Sequence, residues 1–176
     1  PDKILEEPVI FVCANDTVED YLLEDFNRRI QDENPQGLFL GQERQDYFNG
    51  GYLDIDPNGF LCNFIEKPGR GKQPSNLINI VYQYYKNPLL FKETIKELID
   101  SNSNITTSYQ DAIQCMISKG LQIQVYSYSG MWSPIKRPFH AIETGCILLS
   151  KFQKPVIHNE AQVHPLAEIS GNTYIG

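Results

Sequence analysis

The sequence predicts an α/β fold, a mixed, mainly parallel sheet flanked by helices, running into a short C-terminal repeat. Three observations carry this expectation. A continuous apolar run, Pro8-Val9-Ile10-Phe11-Val12-Cys13-Ala14, leads directly into a helix start, as a strand does when it feeds a crossover helix. Further β-rich runs alternate with amphipathic helical stretches along the chain. From Ile157 onward, aliphatic residues recur every six positions.

The first run has the apolar continuity of a strand buried on both faces. Thr17 followed by Asp20 reads as a capping box, opening a helix with Val18, Leu22, Phe26 and Ile30 on one face. Pro35-Gln36-Gly37 ends that helix, and Leu38-Phe39-Leu40 is the next strand. A hairpin follows: Gly51-Tyr52-Leu53-Asp54-Ile55, the turn Asp56-Pro57-Asn58-Gly59, then Phe60-Leu61-Cys62-Asn63-Phe64. Pro second and Gly fourth in that turn suit type I geometry. Ile78 to Tyr85 is a further β-rich run. Asn87-Pro88 starts a helix with Phe91, Ile95, Leu98 and Ile99 on one face, Asn capping and Pro at the first helical position. Ser108-x-x-Asp111 is a second capping box, before Ala112, Ile113, Met116 and Ile117. Gly120 stops that helix. Leu121 to Tyr126 is a strand, Met131 to Ile135 a short extended piece, and Pro138 opens a last helix through about Ser150.

In the final segment, Ile157, Val163, Ile169 and Ile175 keep a period of six, and Ala161, Ala167 and Thr173 follow at a fixed offset. This resembles the hexapeptide repeat of the left-handed parallel β-helix, in which aliphatics fill a prism and small residues fit its corners. The expected division is 1–152 for the α/β part and 153–176 for the start of the repeat.

Length and composition narrow the function. The 176 residues suffice for one ordinary domain with a sizeable core. The net charge is −7 and no basic stripe is interleaved with aromatics, so nucleic acid is not an expected partner. No apolar run reaches membrane-spanning length, and the charged opening Pro1-Asp2-Lys3-Ile4-Leu5-Glu6-Glu7 is not a signal peptide. Cys13, Cys62, Cys115 and Cys146 are widely spaced in apolar contexts, without zinc-ligand spacing. They read as buried free thiols, which points to the cytoplasm. His140, His158 and His164 form no recognisable ligand set. The stretch Gly69-Arg70-Gly71-Lys72 lacks the spacing of a phosphate-binding loop and reads as a solvated loop.

The hairpin ends in Ile65-Glu66-Lys67-Pro68, and Asn79 follows in the next apolar run. These side chains can together hold a phosphorylated sugar: the Lys offers a point charge to phosphate, the Glu and Asn hydrogen bonds to hydroxyls. In order, Asn15-Asp16 after a strand, Glu66-Lys67-Pro68 after a hairpin, Asn79, Asp111-Ala112-Ile113, Trp132-x-x-Ile135, Pro138-Phe139-His140-Ala141 and the hexapeptides resemble the nucleoside-diphosphate-sugar pyrophosphorylases, the sugar-1-phosphate nucleotidyltransferases. The resemblance implies a Rossmann-like nucleotide-diphospho-sugar transferase fold. The implied reaction joins a nucleoside triphosphate and a sugar-1-phosphate, releasing pyrophosphate, with Mg²⁺ as cofactor. By resemblance, Asp16 is a Mg²⁺ ligand, Lys67 binds the sugar phosphate and is the catalytic residue, and Glu66 and Asn79 hold the sugar. A homo-oligomer is expected.

Three departures from the family pattern stand in the chain. Its Gly-rich opening signature with an Arg and a downstream Pro-Lys is absent, so a fragment, itself inactive, is expected. Pro134 stands where the family's W-x-D-I has its second metal-binding Asp. Ile80 and Val81 follow Asn79, where the family has Asn-x-Gly. Pro134 and the altered Asn79 region keep one alternative open, a catalytically degenerate regulatory or scaffolding homologue that binds nucleotide sugars; the repeat keeps another, the nucleotidyltransferase part of a bifunctional enzyme with a C-terminal acyltransferase.

Overall fold

The longest strand, Leu77–Tyr85, is the spine around which the larger part of this computed structural model is arranged. The structure describes residues 7–101 and 109–176, which divide into two units. The first comprises the described residues up to Ala14 together with Asp20–Gly130; the second comprises Asn15–Glu19 and Met131–Gly176.

In chain order, the first unit contains β1 (Val9–Val12), α1 (Asp20–Glu33), β3 (Gly37–Glu43), β4 (Gly51–Ile55), β5 (Leu61–Glu66), β6 (Leu77–Tyr85), α2 (Pro88–Ser101), α3 (Tyr109–Ser118) and β7 (Ile123–Tyr128). The second contains β2 (Asp16–Val18), β8 (Trp132–Pro134), α4 (Pro138–Ser150), β9 (Val156–Ile157) and β10 (Tyr174–Ile175).

The six strands of the first unit form one mixed sheet, with β3 along one edge of β6. The other edge of β6 is shared, by β4 at Ile78 and by β1 from Tyr82 to Tyr85. Only β3 and β7 run parallel among the described strands of this sheet; its other pairings are antiparallel. The expectation of a mixed sheet flanked by helices holds, but "mainly parallel" does not. A short apolar run is equally at home in either ladder, so its direction is not written in its pattern.

Apolar residues of β3 to β7 interlock with α3 through Phe39, Leu53, Phe64, Tyr85, Ile113 and Met116, all buried. Elsewhere, α1 buries Leu22 and Phe26 completely, and Phe26 meets the Tyr82 ring edge-on at 4.7 Å. The guanidinium of Arg29 lies 4.2 Å from the centre of the Tyr126 ring, adding a cation–π contact to the seam.

Several expected local features differ. β1 is not buried on both faces: Ile10, Phe11 and Val12 are all exposed, because only β6 pairs with this strand among the described ones. Thr17 does not cap α1. It lies inside β2, paired with Ser133 of β8, and a tertiary strand pairing here overrides a local capping signal. On α2, Thr94 is buried while Ile99 is 56% exposed, so the inward face is rotated from the expected one. The Ser108 capping box lies outside the described residues. None of the four cysteines is in a disulfide, yet Cys62 and Cys146 are exposed rather than buried. Asn34 ends α1 with φ +46 and Gly120 ends α3 with φ +93, left-handed stops of the kind that satisfy terminal carbonyls.

In the second unit, β2 and β8 pair antiparallel. α4 begins with Pro138 in its first turn and is tied to β8 by a 2.7 Å hydrogen bond between Ser133 Oγ and Thr144 Oγ1. β9 and β10 pair in parallel, Val156 with Tyr174 and Ile157 with Ile175, an offset of 174 − 156 = 18 residues. Within that span the turns also keep a six-residue step. The Ala161 N–H donates to the His158 carbonyl at 3.0 Å, and the Ala167 N–H to the His164 carbonyl at 2.9 Å. Each histidine also accepts, on Nδ1, the N–H two residues ahead.

Candidate functional site

β5 delivers Glu66 and Lys67 to the end of the hairpin. Gly51 of β4 lies opposite Glu66. A Cβ on Gly51 would come within 2.6 Å of the Phe64 ring and 3.1 Å of Glu66 Oε2, so only glycine lets the strands close at this point. Lys67 leaves the strand with φ +46, its N–H donating to the Gly50 carbonyl at 3.0 Å. Its Nζ lies 3.4 Å from Glu66 Oε1, and the lysine side chain is 58% exposed. A pair so open to water adds little stability, and it leaves an ammonium accessible to an anion.

Asn79 is buried in the middle of β6, not at a strand end. Gln83 Nε2 donates to Asn79 Oδ1 at 3.1 Å, and Asn79 Nδ2 donates to the Tyr109 hydroxyl at 3.4 Å. The Tyr85 hydroxyl donates to Gln83 Oε1 at 3.2 Å. Burial, then the charge of the nearby Glu66 carboxylate, pushes the Tyr109 phenol up to about 12. Glu66 and Asn79 thus both neighbour Tyr109 within the first unit, and Lys67 joins them through its pair with Glu66.

Sequence reasoning had overlooked Tyr109 and Gln83. A signal for Gln83 existed: Asn79, Val81, Gln83 and Tyr85 share one parity of an otherwise apolar strand. Tyr109 carried no such mark, because its role depends on how α3 meets β6. The loop after Pro68 is exposed, as expected, with Gly69 and Gly71 at positive φ.

Asp16 belongs to the second unit. It does not sit at the end of a buried strand but opens β2, and its register partner is Pro134. Cross-strand partners stand side by side on one face, so a carboxylate at position 134 would neighbour Asp16. Burial raises the Asp16 pKa, with the Trp132 hydrogen bond and the Lys136 charge pulling it back. The Ile135 N–H donates to the Asn15 carbonyl at 2.7 Å, fixing the two segments together.

Among the described residues, no group of three or more His, Cys, Asp or Glu side chains gathers as a metal cage. Mg²⁺ often takes only one or two carboxylates, with substrate phosphates and water completing its shell. The half-buried Asp16 carboxylate fits the protein's share of such a site; Pro134 adds no ligand.

No family model matches the chain. It is similar to the low-salt glycan biosynthesis nucleotidyltransferase Agl11 of Haloferax volcanii, with 28% identity over 151 residues, 84% of this chain and 36% of that protein. It shares its fold with UDP-glucose pyrophosphorylase complexed with UDP-glucose, at TM-score 0.69 and 19% identity over 86% of this chain and 59% of that one. The apo form of a UDP-glucose pyrophosphorylase gives TM-score 0.67 and 18% identity, over 85% and 57% of the two chains. The chain therefore spans little more than a third of the curated relative's length and under two thirds of the structures it matches.

Proposed function

We propose that this chain is the sugar-phosphate half, residues 1–152, of a sugar-1-phosphate nucleotidyltransferase, followed from 153 by the first coil of a left-handed β-helix. The observation that carries the reading is that Glu66, paired with Lys67 at the end of β5, and Asn79 of β6 both act on Tyr109 within one sheet unit. The similarity to a nucleotidyltransferase and the fold shared with UDP-glucose pyrophosphorylases support it. The parallel pairing across 18 residues, three hexapeptide steps, supports the β-helix coil.

In the proposed reaction, an oxygen of the sugar-1-phosphate forms a bond to the α-phosphorus of a nucleoside triphosphate. The bond from that phosphorus to the bridging oxygen breaks, and pyrophosphate leaves with the electron pair. Lys67 holds the sugar phosphate by charge, and its own backbone is fixed by the Gly50 carbonyl. Glu66 accepts hydrogen bonds from ring hydroxyls, and Asn79 presents an amide oriented by Gln83 and Tyr109. Asp16 would hold Mg²⁺, which neutralises phosphate charge when bound. A cytoplasmic homo-oligomer completes the reading, its location supported by four cysteines outside any disulfide.

The test is pyrophosphate release by the whole protein, with a panel of nucleoside triphosphates and hexose 1-phosphates, with and without Mg²⁺. Lys67→Ala is expected to lower turnover by about 100-fold or more, the loss typical of removing one charge-stabilising donor. Wild-type kinetics in that variant would end the role given to Lys67. A second reading, a regulatory homologue that binds nucleotide sugars without turnover, is favoured by the placement of Pro134 opposite Asp16. Binding of a nucleotide sugar without pyrophosphate release would select it.

A further inference from the structure

The loop between β5 and β6 carries cations that the fold itself does not use. From Glu66 to Lys72 the chain has three basic side chains, Lys67, Arg70 and Lys72, and a single carboxylate. That is a local excess of two positive charges in a chain of net charge −7. Lys67 has the Glu66 carboxylate beside it. Arg70 and Lys72 are exposed, and neither side chain has a hydrogen-bond or ion-pair partner among the described residues. Like charges grouped in this way repel one another in the free protein, and an anion held among them relieves that repulsion.

The loop is fixed where it can serve such an anion. At one foot, the Lys67 N–H donates to the Gly50 carbonyl at 3.0 Å. At the other, Ser75 Oγ donates to the Leu53 carbonyl at 2.6 Å and accepts the Leu77 N–H at 3.0 Å. Between the feet, the Lys72 N–H donates to the Gly69 carbonyl at 3.1 Å, and Gly71, third in that turn, takes φ +79, as type II geometry requires. The turn folds Lys72 back toward the strand end, so the Cα atoms of Lys67, Arg70 and Lys72 all lie within about 15 Å of one another. A Cβ on Gly69 or Gly71 would meet nothing within 4 Å, so the turn is open on those sides.

We propose that Arg70 and Lys72 form a cationic arm beside Lys67, which draws in the phosphate of the sugar 1-phosphate and holds its second negative charge. The inference rests on the function proposed above. A phosphate monoester carries close to two charges at neutral pH, and Lys67 answers only one of them. The Arg70 guanidinium can take two phosphate oxygens at once, and the Lys72 ammonium adds a point charge. Both residues bind and steer the substrate, and neither takes part in making or breaking a bond.

The experiment is calorimetric titration of the whole protein with the 1-phosphates of glucose, mannose and N-acetylglucosamine. It is run at about 0.01 M and about 0.15 M salt, between which the Debye length falls from about 30 Å to about 8 Å. For the sugar phosphate that binds best, Arg70→Gln with Lys72→Gln is expected to weaken binding on the order of 10-fold at the lower salt, the combined effect of two exposed ion pairs. The loss is expected to be smaller at the higher salt. Arg70→Lys with Lys72→Arg keeps both charges and is expected to restore most of the affinity. Lys96→Gln removes one exposed charge from α2 and is expected to change neither affinity nor salt dependence. Equal affinity and equal salt dependence in the folded Gln variant and the wild type overturn the arm and leave the nucleotidyltransferase reading standing. A loss that is the same at both salt concentrations, or that Lys96→Gln shares, also overturns it. Failure of the wild-type protein to bind any of the three sugar phosphates overturns both readings.

Discussion

Lys67 combines an exposed charge with a backbone conformation that lysine disfavours, φ +46. The left-handed region costs an L-residue roughly 1–2 kcal/mol, and glycine escapes that cost. Lys67→Gly is therefore expected to raise stability by about 1 kcal/mol, while Lys67→Ala is not. Urea melts of the two variants check this, and coincident midpoints would show that the turn is unstrained. Tyr109 gives a pH test. Its phenol is raised from 10.0 to about 12 in the folded protein, so folding favours the neutral form. That contribution is complete below the unfolded value and is lost as pH rises from about 10 to about 12. Tyr85 is raised in the same direction by burial. Tyr109→Phe is expected to flatten part of the alkaline loss in urea melts recorded across that range. Asp16 has the sign of a group whose charged form opposes folding, since burial raises its pKa. Its stabilising share is present below the unfolded value and lost as pH rises through the raised one. Asp16→Asn should then melt no lower than wild type at neutral pH, and a lower melting temperature would count against this account. Glu66, Lys67 and Asn79 can be singled out in sequence because residue type and order carry the chemistry proposed for them. Tyr109 cannot, because a tyrosine at a helix start has no role until the sheet it rests on is known.

At the scale of elements, two glycines govern how closely strands pack. A Cβ on Gly41 of β3 would fall 2.8 Å from Leu77 Cγ, and one on Gly51 of β4 would fall 2.6 Å from Phe64 Cε2. Gly41→Ala and Gly51→Ala are each expected to destabilise by about 1–3 kcal/mol, the usual cost of overpacking. Thermal melts of the two variants read this directly. Under the proposed function, Gly51→Ala is also expected to weaken sugar-phosphate binding, because the displaced Phe64 ring lies two residues before Glu66. α3 and α4 were legible because their own patterns decide them: buried Ala112, Ile113 and Met116 recur at helical spacing, and Pro138 sits in the first turn of α4. The hairpin was legible for a local reason too. Asp56 Oδ1 accepts the N–H groups of Asn58 and Phe60 at 2.9 and 2.8 Å, and Gly59 takes φ +84. β2 was hidden because three residues, Asp16–Val18, form a strand only through distant Trp132–Pro134.

At the scale of the whole molecule, strand order and direction lay beyond the sequence pattern. Leu38, Phe39 and Leu40 read as a buried strand and are one. Nothing in those residues distinguishes the parallel neighbour β7 from the antiparallel neighbour β6. The exposed face of β1 carries the same lesson, since its apolar run reads alike whether one strand or two lie beside it. Position 134 is where the whole-protein reading is most sharply tested. Pro134→Asp would set a second carboxylate beside Asp16, and it is expected to strengthen the Mg²⁺ dependence of pyrophosphate release. An unchanged Mg²⁺ response in the folded variant would separate this strand pair from the metal. The β9–β10 pairing has a further consequence. Neighbouring strands stand about 4.8 Å apart, so 18 residues of path are spent on a single step sideways. Chain inserted between Ile157 and Tyr174 would therefore be tolerated in quanta. On the proposed β-helix reading, a full eighteen can add a layer and restore the register, while any other length must bulge out at a corner.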